Sequence, residues 1–373
     1  MQLLKLVQNR VRLGEPLPWG VRNVEGKLLL AQGQVIATEA QLSALLERGA
    51  FVDAEEVRAA HAAEARRSAE RAPDLFTLWE RALWQVQRVL KSVDEAGFAS
   101  RVDEAARHIA ALTERDADIA IYLCVRQDPK RLALYGLFHE IHCAVVGHLV
   151  ARRLQWDEAR TLTLMKAALT MNITVLELQG RLAIQGVPPT DSQRALVKAH
   201  PEEAVEALRR SGIDDTEWLR AVGEHHECPG GGGYPAGLAE PSAVADLLRH
   251  VDVFTAKLSP RATRPPMPSQ TAARQLFQSD PGGPFAAALI KELGIYPPGE
   301  LVRLKSGERA VVLRRSGHAS TPTVASITDR RGMPIVSTVV RDTAKPEFAI
   351  VGAESDKSIV LRMQPERLYG IVQ

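Results

Sequence analysis

Between residues 74 and 293 apolar side chains return at three- and four-residue steps, the period that gathers them on one face of an α-helix. Leu75, Trp79, Leu83, Val86 and Leu90 form one such stripe, and others run through ARHIAALTERDADIAIYLCV and HCAVVGHLVARRLQ. The spacing predicts a helical bundle over 74–293. It is interrupted at QGVPPTD, ECPGGGGYPAGLAEP and SPRATRPPMPS, whose proline and glycine content marks loops. On both sides of the bundle the pattern changes. Before residue 54, GKLLLAQGQVI has short apolar runs bounded by glycines, and TEAQLSALLERGA has helical spacing that stops at Gly49. Residues 1–53 are therefore expected to be a small α+β accessory domain. Residues 54–73 are rich in Ala, Glu and Arg with almost no large apolar side chain, so they read as a solvated helical linker ended by Pro73. After GIYPPGE the runs LVRL, ERAVVLRR, TVASITD and PIVSTVV are β-branched and separated by turn sequences, which predicts a small antiparallel β domain over 294–373. The fold class is mainly α, a helical bundle flanked by small strand-containing N- and C-terminal domains.

Composition narrows the partners. Of the 373 residues, 45% are hydrophobic and 25% charged, enough apolar material for sizeable cores, and the length favours two or three domains. A net charge of +2, with no basic tract interleaved with aromatics, argues against a nucleic-acid footprint. Cys124, Cys143 and Cys228 form no CxxC pair, which excludes a zinc ribbon and fits a reducing compartment. The opening MQLLKLVQNRVRLGEP is apolar only in short runs, without a signal-peptide core or a membrane span. A bacterial cytoplasmic protein is the expectation.

The chemistry concentrates in HHECPGGGGYPAGL, residues 225–238. Four consecutive glycines weaken any regular element, so the backbone there must take an unusual path if it is ordered at all. This segment resembles the HD-GYP family, whose motif is HHE, two variable residues, then DGxGYP. His225, His226 and Glu227 match HHE, and Gly231, Gly233, Tyr234 and Pro235 match GxGYP, while Gly230 replaces the aspartate. Along 135–300 the likeness continues in the family's order. IHCAVVGHLVARRLQW resembles its opening histidine helix, HPEEAVEAL its HPxxG helix and HVDVFTAKLSPRATRP its DVFDALTxxRxYR segment.

The resemblance implies an HD-type bundle that holds two or three metal ions, usually iron or manganese, and activates water against a phosphodiester of cyclic di-GMP. Ligands that match are His142, His200, His225, His226 and Asp252. The HD dipeptide does not match: the family's HDIGK is here Met171, Asn172, Ile173, Thr174 and Val175. Asn172 offers one neutral oxygen where a bridging carboxylate is expected, Met171 a soft thioether for an imidazole, and Val175 no ammonium for the phosphate. Four neutral imidazoles and one carboxylate do not balance two dications, so the expected cofactor is none, or one divalent transition metal (Fe, Mn or Zn) in a residual site.

For a cyclic dinucleotide, Lys257, Arg261, Arg264 and Tyr234 are the candidate contacts, together with Gly231, Gly233 and Pro235 of the loop. Each ligand also has a plainer role. Pro201 and two glutamates after His200 fit a helix start at that point, and His142 fits a half-buried helix histidine. Met171 and Val175 look like core residues one turn apart on a continuing helix. The reading is a signalling or scaffold protein with a degenerate HD-GYP domain, unable to hydrolyse cyclic di-GMP and acting through partner proteins or nucleotide sensing. The competitors are a working metal-dependent phosphodiesterase and a non-hydrolysing cyclic di-GMP effector.

Overall fold

A computed structural model describes residues 3–5, 11, 13–47, 49–60, 73–280, 283–354, 360 and 363–371. The chain divides into two compact units, Met1–Pro73 and Asp74–Gln373. In the first, β1 (Leu3–Lys5), β2 (Val21–Arg22), β3 (Leu28–Leu30) and β4 (Phe51–Asp53) form an antiparallel sheet in the order β1-β4-β2-β3. Helix α1 (Glu39–Glu47) precedes β4. Leu17, Trp19, Val21, Leu42 and Val52 make its core. Residues 54–60 are helical, and Glu56 there accepts from Arg22 at 2.8 Å and from Gly20 N at 2.9 Å. The rest of the expected linker, 61–72, lies outside the described residues.

The second unit is the helical one. Its helices are α2 (Leu75–Lys91), α3 (Phe98–Arg115), α4 (Ala117–Val125), α5 (Tyr135–Arg153), α6 (Glu158–Thr170), α7 (Leu176–Ile184), α8 (Asp191–Arg210), α9 (Thr216–Glu224), α10 (Ala243–Leu258), α11 (Ser269–Ser279) and α12 (Pro284–Leu293). Their starts are written in side chains that accept orphan backbone N–H groups: Asp74, Asp116, Asp157, Asp215 and Ser242 each cap a helix, and Thr190 with Gln193 forms a full capping box. The stripe Leu75, Trp79, Leu83, Val86 and Leu90 is buried as its spacing predicts. Helix α5 is the central one, buried at every position from Tyr135 to Ala151 except Phe138. With the 3₁₀ turn before it, Pro129–Arg153 is long and apolar enough to cross a bilayer, but 83% of its apolar window is buried inside the unit.

Two readings need correction. Pro201 does not start a helix. The capping box at Thr190 starts α8 ten residues earlier, and the proline lies within it. The apolar run through Met171 and Val175 is not one helix either: α6 ends at Thr170, and 171–175 turn the chain into α7. Both side chains are nonetheless buried.

The C-terminal strands β5 (Leu301–Leu304), β6 (Arg309–Arg314), β7 (Thr323–Thr328), β8 (Pro334–Asp342) and β9 (Ile350–Ala353) form an antiparallel sheet ordered β8-β7-β6-β5-β9. It is not a separate body from the bundle. Alternation along β6 sends Val311 and Leu313 into the helical core, where Leu301, Ala325 and Ile327 join them. Ala310 and Val312 face the other way, into a smaller core with Tyr296 and Phe348. Arg315 fixes the join, bonding Asp118 and Glu292 at 2.6 Å each.

Candidate functional site

Four segments bring the chemistry together. Helix α8 supplies His200, the end of α9 supplies His225 and His226, α5 supplies His139 and Cys143, and α10 supplies Asp252. The ligand-capable atoms of His200, His225 and His226 lie within 4.8 Å of one another, as do those of His139, Cys143 and Asp252. Asp252 joins the two trios: its Oδ1 is 2.7 Å from His139 Nε2, and its Oδ2 is 3.9 Å from His226 Nδ1.

The orientation of two rings is informative. His200 Nδ1 donates to the Val197 carbonyl at 2.5 Å, and His225 Nδ1 donates to the Val222 carbonyl at 2.6 Å. Since a carbonyl only accepts, the proton of each neutral ring sits on Nδ1, and the two Nε2 atoms, 3.1 Å apart, face each other with bare lone pairs. Burial keeps both rings neutral, lowering His200 to about 4 and His225 well below its ordinary value. Facing lone pairs in a buried place call for an electron-pair acceptor. Ligands at about 2.1 Å from one ion span up to about 4.2 Å, so this donor set fits a divalent metal. Burial also lowers His226, against the pull of Asp252. Asp252 is half-buried, and its partial desolvation raises its pKa, but the hydrogen bond from His139 and the nearby imidazoles outweigh that and hold the carboxyl far below the usual range.

The glycine loop is ordered, and Glu227 is the reason. Its buried carboxylate accepts from Ala236 N at 2.6 Å, Gly237 N at 3.1 Å and Leu238 N at 2.9 Å. Gly231 has a positive φ of +88°, and a Cβ at Gly233 would lie 2.4 Å from both Cys228 N and Glu227 Cα. Tyr234, followed by Pro235 in a cis peptide, stacks on His226 with ring centroids 4.6 Å apart. Gly230, in the place of the family's aspartate, has no side chain to contribute.

Of the residues expected to act on metal, His200, His225, His226 and Asp252 converge, and His142 does not. Its place is taken by His139, one helical turn earlier. Three residues along a helix leave His142 about 60° off that line, whereas Cys143, four residues on, is about 40° off it on the other side. His142 lies instead against Leu123, Arg131 and Phe138, where burial lowers it to about 3. The pattern HEIHC carries both readings, and only the packing of α5 against α10 separates them. Thr255 pairs with Cys143, oxygen to sulfur, at 3.1 Å.

The replaced positions form a different arrangement. Asn172 donates its backbone N–H to Glu140, 3.1 Å from Oε1. Glu140 is fully buried, which pushes its carboxyl well above the ordinary range, and its Oε2 has no hydrogen-bond partner among the described residues. Met171 is core, and Val175 lines a groove of about 550 Å³ with Lys91, Arg181 and Glu203. The cations expected to meet a nucleotide are engaged internally. Lys257 bonds Gln275 at 2.7 Å, Arg264 the Ala256 carbonyl at 2.6 Å and Arg261 the Tyr135 hydroxyl at 2.9 Å. Tyr135 stacks on His139, so Arg261 alone of the three continues a chain of contacts to Asp252.

Residues 103–280 match the family described as HD domain. Among curated proteins it is 26% identical to a cyclic di-GMP phosphodiesterase of Pseudomonas aeruginosa, over 78% of this chain and 70% of that one. It is 28% identical to a 3'3'-cGAMP-specific phosphodiesterase of Vibrio cholerae, over 44% of this chain and 36% of the relative. A solved HD-GYP-type protein of Bdellovibrio bacteriovorus aligns at 16% identity with a TM-score of 0.49, covering 78% of this chain and 99% of that one.

Proposed function

We propose that the chain is a bacterial, cytoplasmic signalling protein whose HD domain does not hydrolyse cyclic di-GMP and acts through contacts with partner proteins. The observation that supports this most is Asn172. Where the family pattern has a carboxylate that bridges metals, this side chain is neutral, and its backbone N–H is bonded to Glu140. Met171 is packed in the core and Val175 has no charge to offer a phosphate. Asp252, one negative charge, stands against the four positive charges of two dications. His200, His225 and His226 would hold a single ion, with Asp252 beside them. When bound, that ion would supply Lewis acidity. His139 keeps Asp252 ionised and oriented, and Tyr234 covers one face of His226.

The competing reading, a working phosphodiesterase, draws on the names of the relatives and on the anchored His139–Asp252 pair. The test is metal analysis of the purified protein with a cyclic di-GMP hydrolysis assay. The expected result is at most one transition-metal ion per chain and no turnover above a metal-only blank, because loss of a bridging ligand and a phosphate cation costs about a thousandfold or more. The combined Met171→His, Asn172→Asp and Val175→Lys variant is expected to raise bound metal towards two ions. Turnover by the unmodified chain that disappears on replacing His225 and His226 would overturn the proposal. A cyclic di-GMP binding titration without turnover would assign the effector role instead.

A further inference from the structure

The second trio, His139 and Cys143 on α5 with Asp252 on α10, offers donors that the three histidines lack. His200, His225 and His226 present nitrogen only. Cys143, His139 and Asp252 present sulfur, nitrogen and oxygen, and once the thiol proton leaves to solvent they carry two negative charges, which balance one dication. Charge balance matters here because Cys143 is 0% and His139 2% exposed, and an enclosed ion is costly unless it is paired.

The spacing fits an ion bound through sulfur. His139 and Cys143 stand one turn apart on α5, with Sγ 3.6 Å from Nε2. A tetrahedral ion at about 2.3 Å from sulfur and about 2.05 Å from nitrogen sets those two atoms about 3.6 Å apart. The carboxylate is closer than such an ion allows: Asp252 Oδ1 is 2.7 Å from His139 Nε2, hydrogen-bonded to it. Around one ion that separation is about 3.4 Å, so the carboxylate has to draw back by about 0.7 Å and release the bond.

Thr255 makes room for the charge. The DVFD stretch of the family pattern has an aspartate at this position, and here Thr255 Oγ1 lies 3.1 Å from Cys143 Sγ. A carboxylate there would set a like charge against a thiolate, whereas a hydroxyl can turn its O–H towards it. Cys143 has no counterpart among the ligands that the family pattern supplies.

We propose that His139, Cys143 and Asp252 form a site for one thiophilic divalent cation of the zinc class, set apart from the ion of the three histidines by its sulfur ligand. Sulfur selects zinc or cobalt over manganese or magnesium, which favour oxygen. Because a hydrogen bond and a thiol proton must first be given up, the site fills from added metal and is not counted in the metal that the purified chain carries. It stands whether or not the domain turns over a nucleotide, since positions 171, 172 and 175 take no part in it.

The experiment titrates the full chain, as purified, with Co²⁺ and reads the near-ultraviolet charge-transfer band of a cobalt–thiolate bond, which imidazoles and carboxylates do not produce. The expected result is a band that saturates at one added ion per chain, survives Cys124→Ser and Cys228→Ser, and is lost in Cys143→Ser. Zn²⁺ is expected to displace it, and Mn²⁺ in excess to leave it unchanged. Asp252→Asn, which keeps the thiol, is expected to weaken cobalt binding severalfold. No band from the unmodified chain, with or without cobalt uptake, would overturn the proposal, as would a band that persists in Cys143→Ser. Should that variant not fold, a titration midpoint left unchanged by Asp252→Asn would overturn it as well. Cyclic di-GMP is absent throughout, so the outcome is independent of the hydrolysis assay.

Discussion

Glu227 makes a sharp test of how the glycine loop is held, because it separates the loop's architecture from any metal chemistry. Its carboxylate is 1% exposed and receives three backbone N–H groups, from Ala236, Gly237 and Leu238. Glu227→Gln keeps shape and volume but leaves one oxygen. If that oxygen keeps Ala236 and Gly237, the new amide N–H₂ faces the N–H of Leu238, donor against donor. One charge-assisted bond, worth about 2 kcal/mol, is then lost, and the other two fall to neutral strength at about 0.5–1 kcal/mol each. The sum is about 3–4 kcal/mol. For a unit of this size that is a drop of roughly 6–8 °C in melting temperature, from about 2 °C per kcal/mol. Calorimetry reads the global loss, and hydrogen exchange at 236–238 reads the local one, with Leu238 expected to lose protection first. A melting temperature within 1 °C of the parent, together with unchanged exchange at those amides, would refute the view that Glu227 pins the loop.

Met171 is fully buried, so Met171→Asp is expected to cost on the order of 3 kcal/mol or more, while a chelator lowers the melting temperature little; the reverse order, measured by thermal denaturation, would show that metal affinity is part of the folding free energy. The fold should also lose stability as the solution is acidified. His142 is lowered to about 3 in the folded chain against an ordinary 6.5, so the unfolded chain binds the proton first. Its contribution is complete above pH 6.5 and falls as pH drops towards 3, by about 2 kcal/mol at pH 5 from 1.36 kcal/mol per unit. Urea titrations at pH 7 and pH 5 should therefore converge in His142→Phe relative to the parent, and equal acid sensitivity in both proteins would contradict the assignment.

Much of the architecture was legible because its signals are local. The stripe on α2 and the strand runs of β5 to β8 reached their expected elements through periodicity that burial then used. Histidines 200, 225 and 226 with Asp252 were readable as a set because their segments keep a recognisable order. What failed has a common cause in helices without an amphipathic face. Helix α5 is buried almost all round, so its apolar pattern says nothing about which of His139 and His142 faces α10. The break at 171–175 carries no glycine or proline and no change in hydrophobicity, so it reads as helix until the buried Glu140 is seen reaching the Asn172 backbone. Pro201 misled for the opposite reason, a strong local signal overruled by a capping box ten residues upstream.

The contact of a missing Cβ at Gly233 with the backbone of Glu227 and Cys228 has an evolutionary consequence. That glycine is required by main-chain atoms, a requirement that involves no reacting group, and its neighbour Tyr234 by a ring against His226. Selection for folding alone would keep the glycine–tyrosine–proline signature in place, whatever happens to selection for turnover at positions 171, 172 and 175. In a genome, then, the signature identifies chains that build this loop, and the dipeptide sixty residues upstream is the better witness to whether they still cut a phosphodiester.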